Sequence, residues 1–417
     1  MSGFAKRITK FEWLILALIL LPLLFPNGIQ GFLLFLIPLL WLIRWVGERH
    51  FIPATPLDST ILLMLIMVGV SMIAVFDPAL SFPKVVGVIY GIALFYGAVG
   101  VTRTNQHVGW PVFLAFLAIG SGMAIVGLIG THWPPPFTGL SRLGTFLPGP
   151  LQVIPGTFGG KVNPNELGGV LSWLIPLPTV LLFGLWRHWT WPVRLLLLLM
   201  VTIFGLMLVA TVSRGAILGT SISLLIVFAI HHKWGRWLLL IAGLLGMTAL
   251  LFSEPGAAEL ADLGGRREIW SRAIYGIADF PFTGMSMSGF RRVVTILYPF
   301  FTIAPDQDIA HAHNHLLQTA LDLGIPGLIA YLSLWVTCFT LLWQSWRHGG
   351  DATTRYFGLG LIGSLAGGWF FGVLDAIAIG ARPSFMWWLL LAMSIGVYDA
   401  KRSGRRFLPR IQNIMTQ

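Results

Sequence analysis

The sequence predicts an all-α polytopic membrane protein, with about twelve transmembrane helices and a large outer loop that carries short amphipathic helices. Three observations predict it. Apolar residues make up 56% of the chain and charged residues only 10%, where a soluble domain carries about 25% charged residues. The apolar residues gather in runs of roughly 20 residues, the length that crosses a bilayer as a helix. Both tails and alternate connections hold 17 of the 27 basic residues on one side, as the positive-inside rule favours.

In chain order the expected spans are roughly 11–26, 29–46, 57–76, 83–101, 109–130, 164–185, 192–211, 214–231, 236–252, 324–345, 354–374 and 383–398. The first run, from Phe11, is followed by Pro26-Asn27-Gly28 and a second run, so it reads as a signal anchor. The organisation expected is 1–130 for the N-terminal transmembrane helices, 131–252 for the central ones, 253–323 for the outer loop, and 324–417 for the C-terminal helices with a basic tail. An even number of spans puts both termini on one side. Lys6, Arg7 and Lys10, the tail from Lys401 to Arg410, and Arg44, Arg49, Arg103, Arg187, Arg194, Lys233, Arg236, Arg347 and Arg355 all fall on that side, which is therefore assigned to the cytoplasm. This topology accounts for the net charge of +11, and no nucleic-acid partner is expected, because no basic face with interleaved aromatics lies outside the spans. The single cysteine, Cys338, sits in an apolar run, so there is no internal disulfide.

The outer side has two long connections, 131–163 and 253–322, and loops of this length in a compact membrane protein are usually functional. Arg142, Lys161, Arg214, Arg266, Arg267, Arg272, Arg291, Arg292 and Arg382 lie in or beside them, against the charge rule. Cations held outside point to an anionic ligand. Within the second loop, Arg266 to Phe280 has helical spacing, with Ile269, Trp270, Ala273, Ile274 and Ile277 as its apolar stripe; Gly264-Gly265 precede it and Pro281 ends it. Leu316 to Leu323 reads as a second short helix, stopped by Gly324 and Pro326.

The candidate chemistry centres on His311, His313 and His315. His311 and His315 are spaced i,i+4, which suits a metal on a helix, and the alternation suits one on a strand. Against a metal, no cysteine is at hand and no carboxylate sits at a matching spacing; the Asp-x-Asp triplet at Asp306-Gln307-Asp308 is a short match to metal-dependent sugar transferases. A solvated loop histidine is the plain alternative. The third reading is a general base, since neutral imidazole, with an unperturbed pKa of about 6.5, takes a proton near neutral pH.

Arg214 sits at a short outer turn, where a guanidinium either snorkels to the interface or clamps a phosphate bidentately. Arg266 and Arg267 open the expected loop helix, where free N–H groups and the macrodipole also favour an anion. The run Gly156 to Glu166 contains Lys161, and Asn163-Pro164 turns into the next span with Asn165 and Glu166 at its mouth. These polar groups either cap the helix or touch a sugar.

Four stretches in order resemble the O-antigen ligase and polymerase superfamily of membrane glycosyltransferases: Gly156-Thr157 through Asn165; Thr211-Val212-Ser213-Arg214-Gly215-Ala216; Gly265-Arg266-Arg267-Glu268-Ile269-Trp270 with Pro281 and Gly284; and His313-Asn314 followed by Gly324-Ile325-Pro326-Gly327. The resemblance covers roughly residues 156–345. It implies a helical bundle like that of other lipid-dependent (GT-C-like) membrane glycosyltransferases, placed in the inner membrane with its site on the periplasmic face. It implies transfer of a glycan from undecaprenyl diphosphate to an acceptor hydroxyl, such as that of a lipid A-core or other surface glycolipid. The reaction is expected to invert the anomeric centre and to need no metal or cofactor. His313 is then the catalytic residue, Arg214, Arg266 and Arg267 bind the diphosphate, and Asn165, Asn314, His311, His315 and Lys161 orient groups or touch the acceptor. The partners implied are the lipid-linked glycan, a glycolipid or glycan acceptor, and membrane lipids. Two alternatives stand beside the ligase: a polysaccharide polymerase or protein O-oligosaccharyltransferase of the same superfamily, and, from another class, a transporter of small anions such as bicarbonate.

Overall fold

The computed structural model describes residues 35–104, 109–131, 133, 162–252, 254–304, 307–348, 351–377 and 379–404, with scattered positions before 35. It is all-helical over these residues. In chain order the helices are α1 (Leu36–Glu48), α2 (Asp58–Ser71), α3 (Pro78–Thr104), α4 (Trp110–Gly130), α5 (Pro164–Leu174), α6 (Pro176–Gly184), α7 (Trp191–Ala210), α8 (Arg214–His231), α9 (Lys233–Phe252), α10 (Glu254–Asp279), α11 (Phe290–Leu297), α12 (His315–His348), α13 (Ala352–Leu374) and α14 (Ser384–Ser403). Seven helices among the described residues are long and apolar enough to cross a membrane. The protein is a multi-pass membrane protein. Most of the expected span 11–26 and residues 29–34 of the next lie outside the described residues, and α1 takes up the latter from Leu36. Asp58–Ala74 is a shorter apolar helix. Helices also occupy the places expected of spans at Lys233–Phe252 and Ser384–Ser403.

Local sequence sets the helix ends. Pro164, Pro111 and Pro192 stand at or next to the first helical position of their helices, where a missing N–H costs nothing. The side chain of Asn163 caps α5, and that of Asp351 caps α13. The apolar run 164–185 is interrupted at Ile175, between Leu174 and Pro176, because proline cannot donate the bond that would carry the helix through.

α13 runs through the middle of the bundle, packed against α5, α6, α8, α12 and α14. It can do so because glycines stand at its closest approaches to its neighbours. A Cβ on Gly367 would stand 2.3 Å from the carbonyl oxygen of Ser172 in α5, and one on Gly219 of α8 would stand 2.9 Å from that of Gly367. Small residues let membrane helices approach closely where apolar burial gives no driving force against lipid. Phe371, Phe357 and Leu365 of α13 join Trp335 of α12 and Trp388 of α14 in the main core.

The outer loop departs from the sequence expectation in one respect. The helix expected over Arg266–Phe280 starts earlier, at Glu254, and contains Gly264-Gly265 in its interior. It ends at Asp279, before Pro281, as expected. The second short helix is the first part of α12, which breaks at Gly324 (φ 70°, ψ 179°). A separate small core fixes this region, built from Ile269, Ala273, Met285, Phe290, Val294, Ile309, Ala312 and Leu321. The other long connection, 131–163, is closed at its base, where the Val162 N–H donates to Gly130 O at 2.8 Å; the rest of it lies outside the described residues.

Candidate active site at the end of a buried helix

The last carbonyls of a helix have no partner within it. α13 stops at Leu374 because Asp375 is extended (φ −151°, ψ −177°). Two of its final carbonyls are taken by side chains from distant parts of the chain. Asn314 donates through Nδ2 to Val373 O at 3.1 Å, and Arg266 donates through Nη1 to Leu374 O at 2.6 Å. The start of α8 closes on the same point, since a Cβ on Gly215 would stand 3.3 Å from Cβ of Leu374. Asp375 itself meets His313, with Oδ1 3.2 Å from Nδ1. Segments holding Arg214, Arg266 and His313 therefore converge on one helix end, and the negative pole of that helix faces the arginine that binds it.

The histidine loop is built to present one ring. His313 has a left-handed backbone (φ 47°), a conformation that costs a non-glycine residue energy and is found at functional sites where its surroundings over-determine it. They do so here. Its N–H donates to His311 Nδ1 at 3.2 Å. On its other side Asn314 caps α12, its Oδ1 accepting from the N–H groups of Leu316 (2.9 Å) and Leu317 (3.1 Å). The His313 side chain is 31% exposed and that of His311 20%. Burial pushes His311 down to about 4, with the nearby positive groups His313, Lys84 and Arg266 adding to the effect and Asp375 opposing it. Burial pushes the Asp375 carboxyl up, but the hydrogen bond with His313, the charge of the two histidines and the Ala376 N–H outweigh it and hold Asp375 below its ordinary range. An ionised carboxylate only accepts. In the neutral ring the proton of His313 therefore sits on Nδ1, and Nε2 is left with its lone pair.

His315 belongs elsewhere. It is 4% exposed, with Nδ1 2.9 Å from the Tyr331 hydroxyl and its ring edge-on to Tyr331, Trp335 and Trp369. Burial in this aromatic pocket sets it apart from the partly exposed rings of His311 and His313. Asn314 is a helix cap and a tie to α13. Asn165 lies in the first turn of α5, and its N–H donates to the Asn163 side chain at 2.8 Å. Lys161 lies outside the described residues.

Among the arginines, Arg214 is the first residue of α8 and is exposed. Guanidinium and open helix N–H groups there favour the same anion. Arg266 and Arg267 are not at a helix start, because α10 begins at Glu254; the macrodipole argument does not apply to them. Arg266 reaches Leu374, and Arg267, next on the helix, is exposed. Three other outer arginines are paired with acids: Arg272 with Glu268 at 3.3 Å, Arg291 with Asp308, and Arg292 with Asp77 at 3.5 Å. Asp308 is thereby engaged, and Asp306 lies outside the described residues.

The sequence reading missed Asp375. It also found no carboxylate at a spacing that matched the histidines, and folding supplies this one from the far end of α13. Its ligand atoms and those of His311 and His313 lie within 4.8 Å of one another, a geometry open to a metal ion. Lys84 and Arg266 act on His311 as positive neighbours, which weakens the site for a cation. The signal that would have found Asp375 is its isolation: a lone carboxylate in the run Phe371 to Ile379, where an ionisable group at a membrane segment's edge is costly without a role. Lys84 was missed because its partner, Asp322, lies 238 residues away.

No curated protein matches the chain. Residues 195–332 match the family described as O-Antigen ligase. That stretch carries Arg214, Arg266, Arg267 and all three loop histidines, while Asn165 and Asp375 lie outside it. On this match, the part of the chain that brings the arginines to the histidine loop is similar to the O-antigen ligase family.

Proposed function

We propose that this protein is a membrane glycosyltransferase of the O-antigen ligase type, moving a glycan from undecaprenyl diphosphate to an acceptor hydroxyl at the periplasmic face. His313 Nε2 takes the acceptor proton as the acceptor oxygen bonds to the anomeric carbon. The bond from that carbon to the diphosphate oxygen breaks on the opposite face, so the product is inverted. The lipid diphosphate leaves with the electron pair, its charge met by Arg214, Arg266 and Arg267. A lipid diphosphate is already a good leaving group, so fixed charge and a base are enough, and no step calls on a metal. Asp375 holds the ring in the tautomer that leaves Nε2 free.

The observation that carries this reading is the meeting of His313–Asp375 with the Arg266 side chain and the Arg214 turn at the end of α13. A carrier of small anions would place its charged site at a break near the midplane; here the charged groups gather at a helix end. Polymerase and protein O-oligosaccharyltransferase activities use the same chemistry on another acceptor.

The test is incubation of purified protein with an undecaprenyl-diphosphate glycan and three acceptors (a lipid A-core glycolipid, a second lipid-linked glycan and a protein), read by product mass. A glycolipid product with inverted linkage is expected, and His313→Ala removes it while the protein still purifies as a folded monodisperse species. Most of the activity surviving in His313→Ala overturns the base. Activity is expected to survive a chelator; loss on chelation with recovery on zinc or manganese replaces the base by a metal at His311, His313 and Asp375.

A further inference from the structure

The peptide that carries His313 is held from below by a buried polar chain. The Ala312 N–H donates to Gln318 Oε1 at 2.8 Å. Gln318 in turn donates through Nε2 to Asp322 Oδ1 at 2.9 Å. The same carboxylate accepts from the Ser288 N–H at 3.0 Å, and Lys84 Nζ of α3 stands 3.4 Å from its other oxygen. Ala312, Gln318 and Asp322 are 0%, 1% and 2% exposed. A buried amide and carboxylate are retained at a cost unless every group is satisfied, and here each link satisfies the next. The chain ends on the residue before His313, whose left-handed backbone needs an outside constraint.

We infer that Gln318 and Asp322 are positioning residues of the transfer reaction: they fix the Ala312–His313 peptide so that the imidazole meets Asp375, with Lys84 and Ser288 anchoring the carboxylate to α3 and to the outer loop. Neither residue touches substrate in this account. Gln318 acts as a one-way relay, its oxygen toward the loop and its nitrogen toward Asp322. Asp322 Oδ1 accepts from both Gln318 and the Ser288 N–H, so an Asn at 322 with its amide oxygen in that place keeps both bonds, whereas an Ala keeps neither. The inference rests on His313 being the base.

The experiment compares Gln318→Leu, Asp322→Ala and the conservative Asp322→Asn with wild type, on the purified protein in detergent, with kcat and KM for the lipid-linked donor measured separately. A displacement of about 1 Å at a reacting group costs on the order of 10²-fold. Gln318→Leu is expected to lower kcat by roughly 10- to 100-fold with KM for the donor changed less than about threefold. Asp322→Ala is expected to lose about as much kcat as Gln318→Leu, and Asp322→Asn to keep most of the wild-type value. Full kcat in Gln318→Leu, or a loss that appears in KM, overturns the inference, as does an Asp322→Asn no better than Asp322→Ala. If Gln318→Leu fails to fold, Asp322→Asn against Asp322→Ala decides alone. His313→Ala measured alongside separates the two claims. An inactive His313→Ala with a fully active Gln318→Leu sinks only the positioning role, whereas an active His313→Ala sinks the base reading itself.

Discussion

In the proposed reaction Asp375 sets the tautomer of His313. Its Oδ1 accepts from the His313 ring and from the Ala376 N–H at 2.8 Å. Replacement by Ala leaves the ring free to take the other tautomer, with the proton on Nε2 and no lone pair for the acceptor. General-base catalysis is worth about 10²–10⁴-fold, so Asp375→Ala is expected to lower kcat by at least about 10²-fold, and Asp375→Asn, which keeps an acceptor oxygen but loses the charge, to fall between it and wild type. Equal kcat in all three removes the dyad. The pH profile bears on the same point. Burial keeps His311 neutral down to about 4, and Asp375 stays ionised below the ordinary carboxylate range, so an acid limb between pH 5 and 8 belongs to neither. In both groups the folded state releases protons more readily than the unfolded chain. Between about pH 6.5 and 4 the unfolded state binds the extra proton at residue 311, and stability falls as pH falls through that window.

At the scale of elements, the spacing Pro281–Gly284 and Gly324–Gly327 was legible as a pattern, and the structure gives its reason. The turn after α10 docks into the break in α12. Met285 N–H donates to Leu321 O at 2.6 Å, and Ile325 N–H donates to Pro281 O at 2.7 Å. A Cβ on Gly324 would stand 2.6 Å from Phe282 O, in a backbone at φ 70°. Gly324→Ala is therefore expected to destabilise by about 1–3 kcal/mol from backbone strain alone, lowering the melting temperature in detergent and the activity together. Gly205 in α7 has nothing within 4 Å of its missing Cβ, and Gly205→Ala is the control, expected to leave both unchanged. A Gly324→Ala protein as stable as that control contradicts the docking account. The helices, the outer loop and the histidine–arginine set could all be read from local pattern. Residues whose meaning depends on a remote partner could not: Asp375 needs His313 and Lys84 needs Asp322, and the length of α10 hides two glycines that locally read as a helix start.

At the scale of the whole molecule, charge divides the bundle into two ends. One end holds Arg103 paired with Asp399 at 2.7 Å, Lys401 on Gln344 O at 2.9 Å, and the Arg347 and Arg355 guanidiniums over Trp343 and Trp346. The other holds the histidine loop, the pairs Arg292–Asp77 and Lys84–Asp322, and the end of α13. The positive-inside rule predicts the first end in the cytoplasm; on that prediction the proposed donor meets His313 on the far side, away from nucleotide-sugar pools. Cys338 is the only cysteine and is buried, so Cys338→Ala gives a background in which single cysteines report sidedness. Gln307→Cys, at an exposed loop position, and Ser403→Cys, exposed near the end of α14, sample the two ends. A membrane-impermeant maleimide is expected to label Gln307→Cys in intact spheroplasts and Ser403→Cys only after permeabilisation. The opposite pattern would place His313 in the cytoplasm and leave the periplasmic transfer reaction without a site.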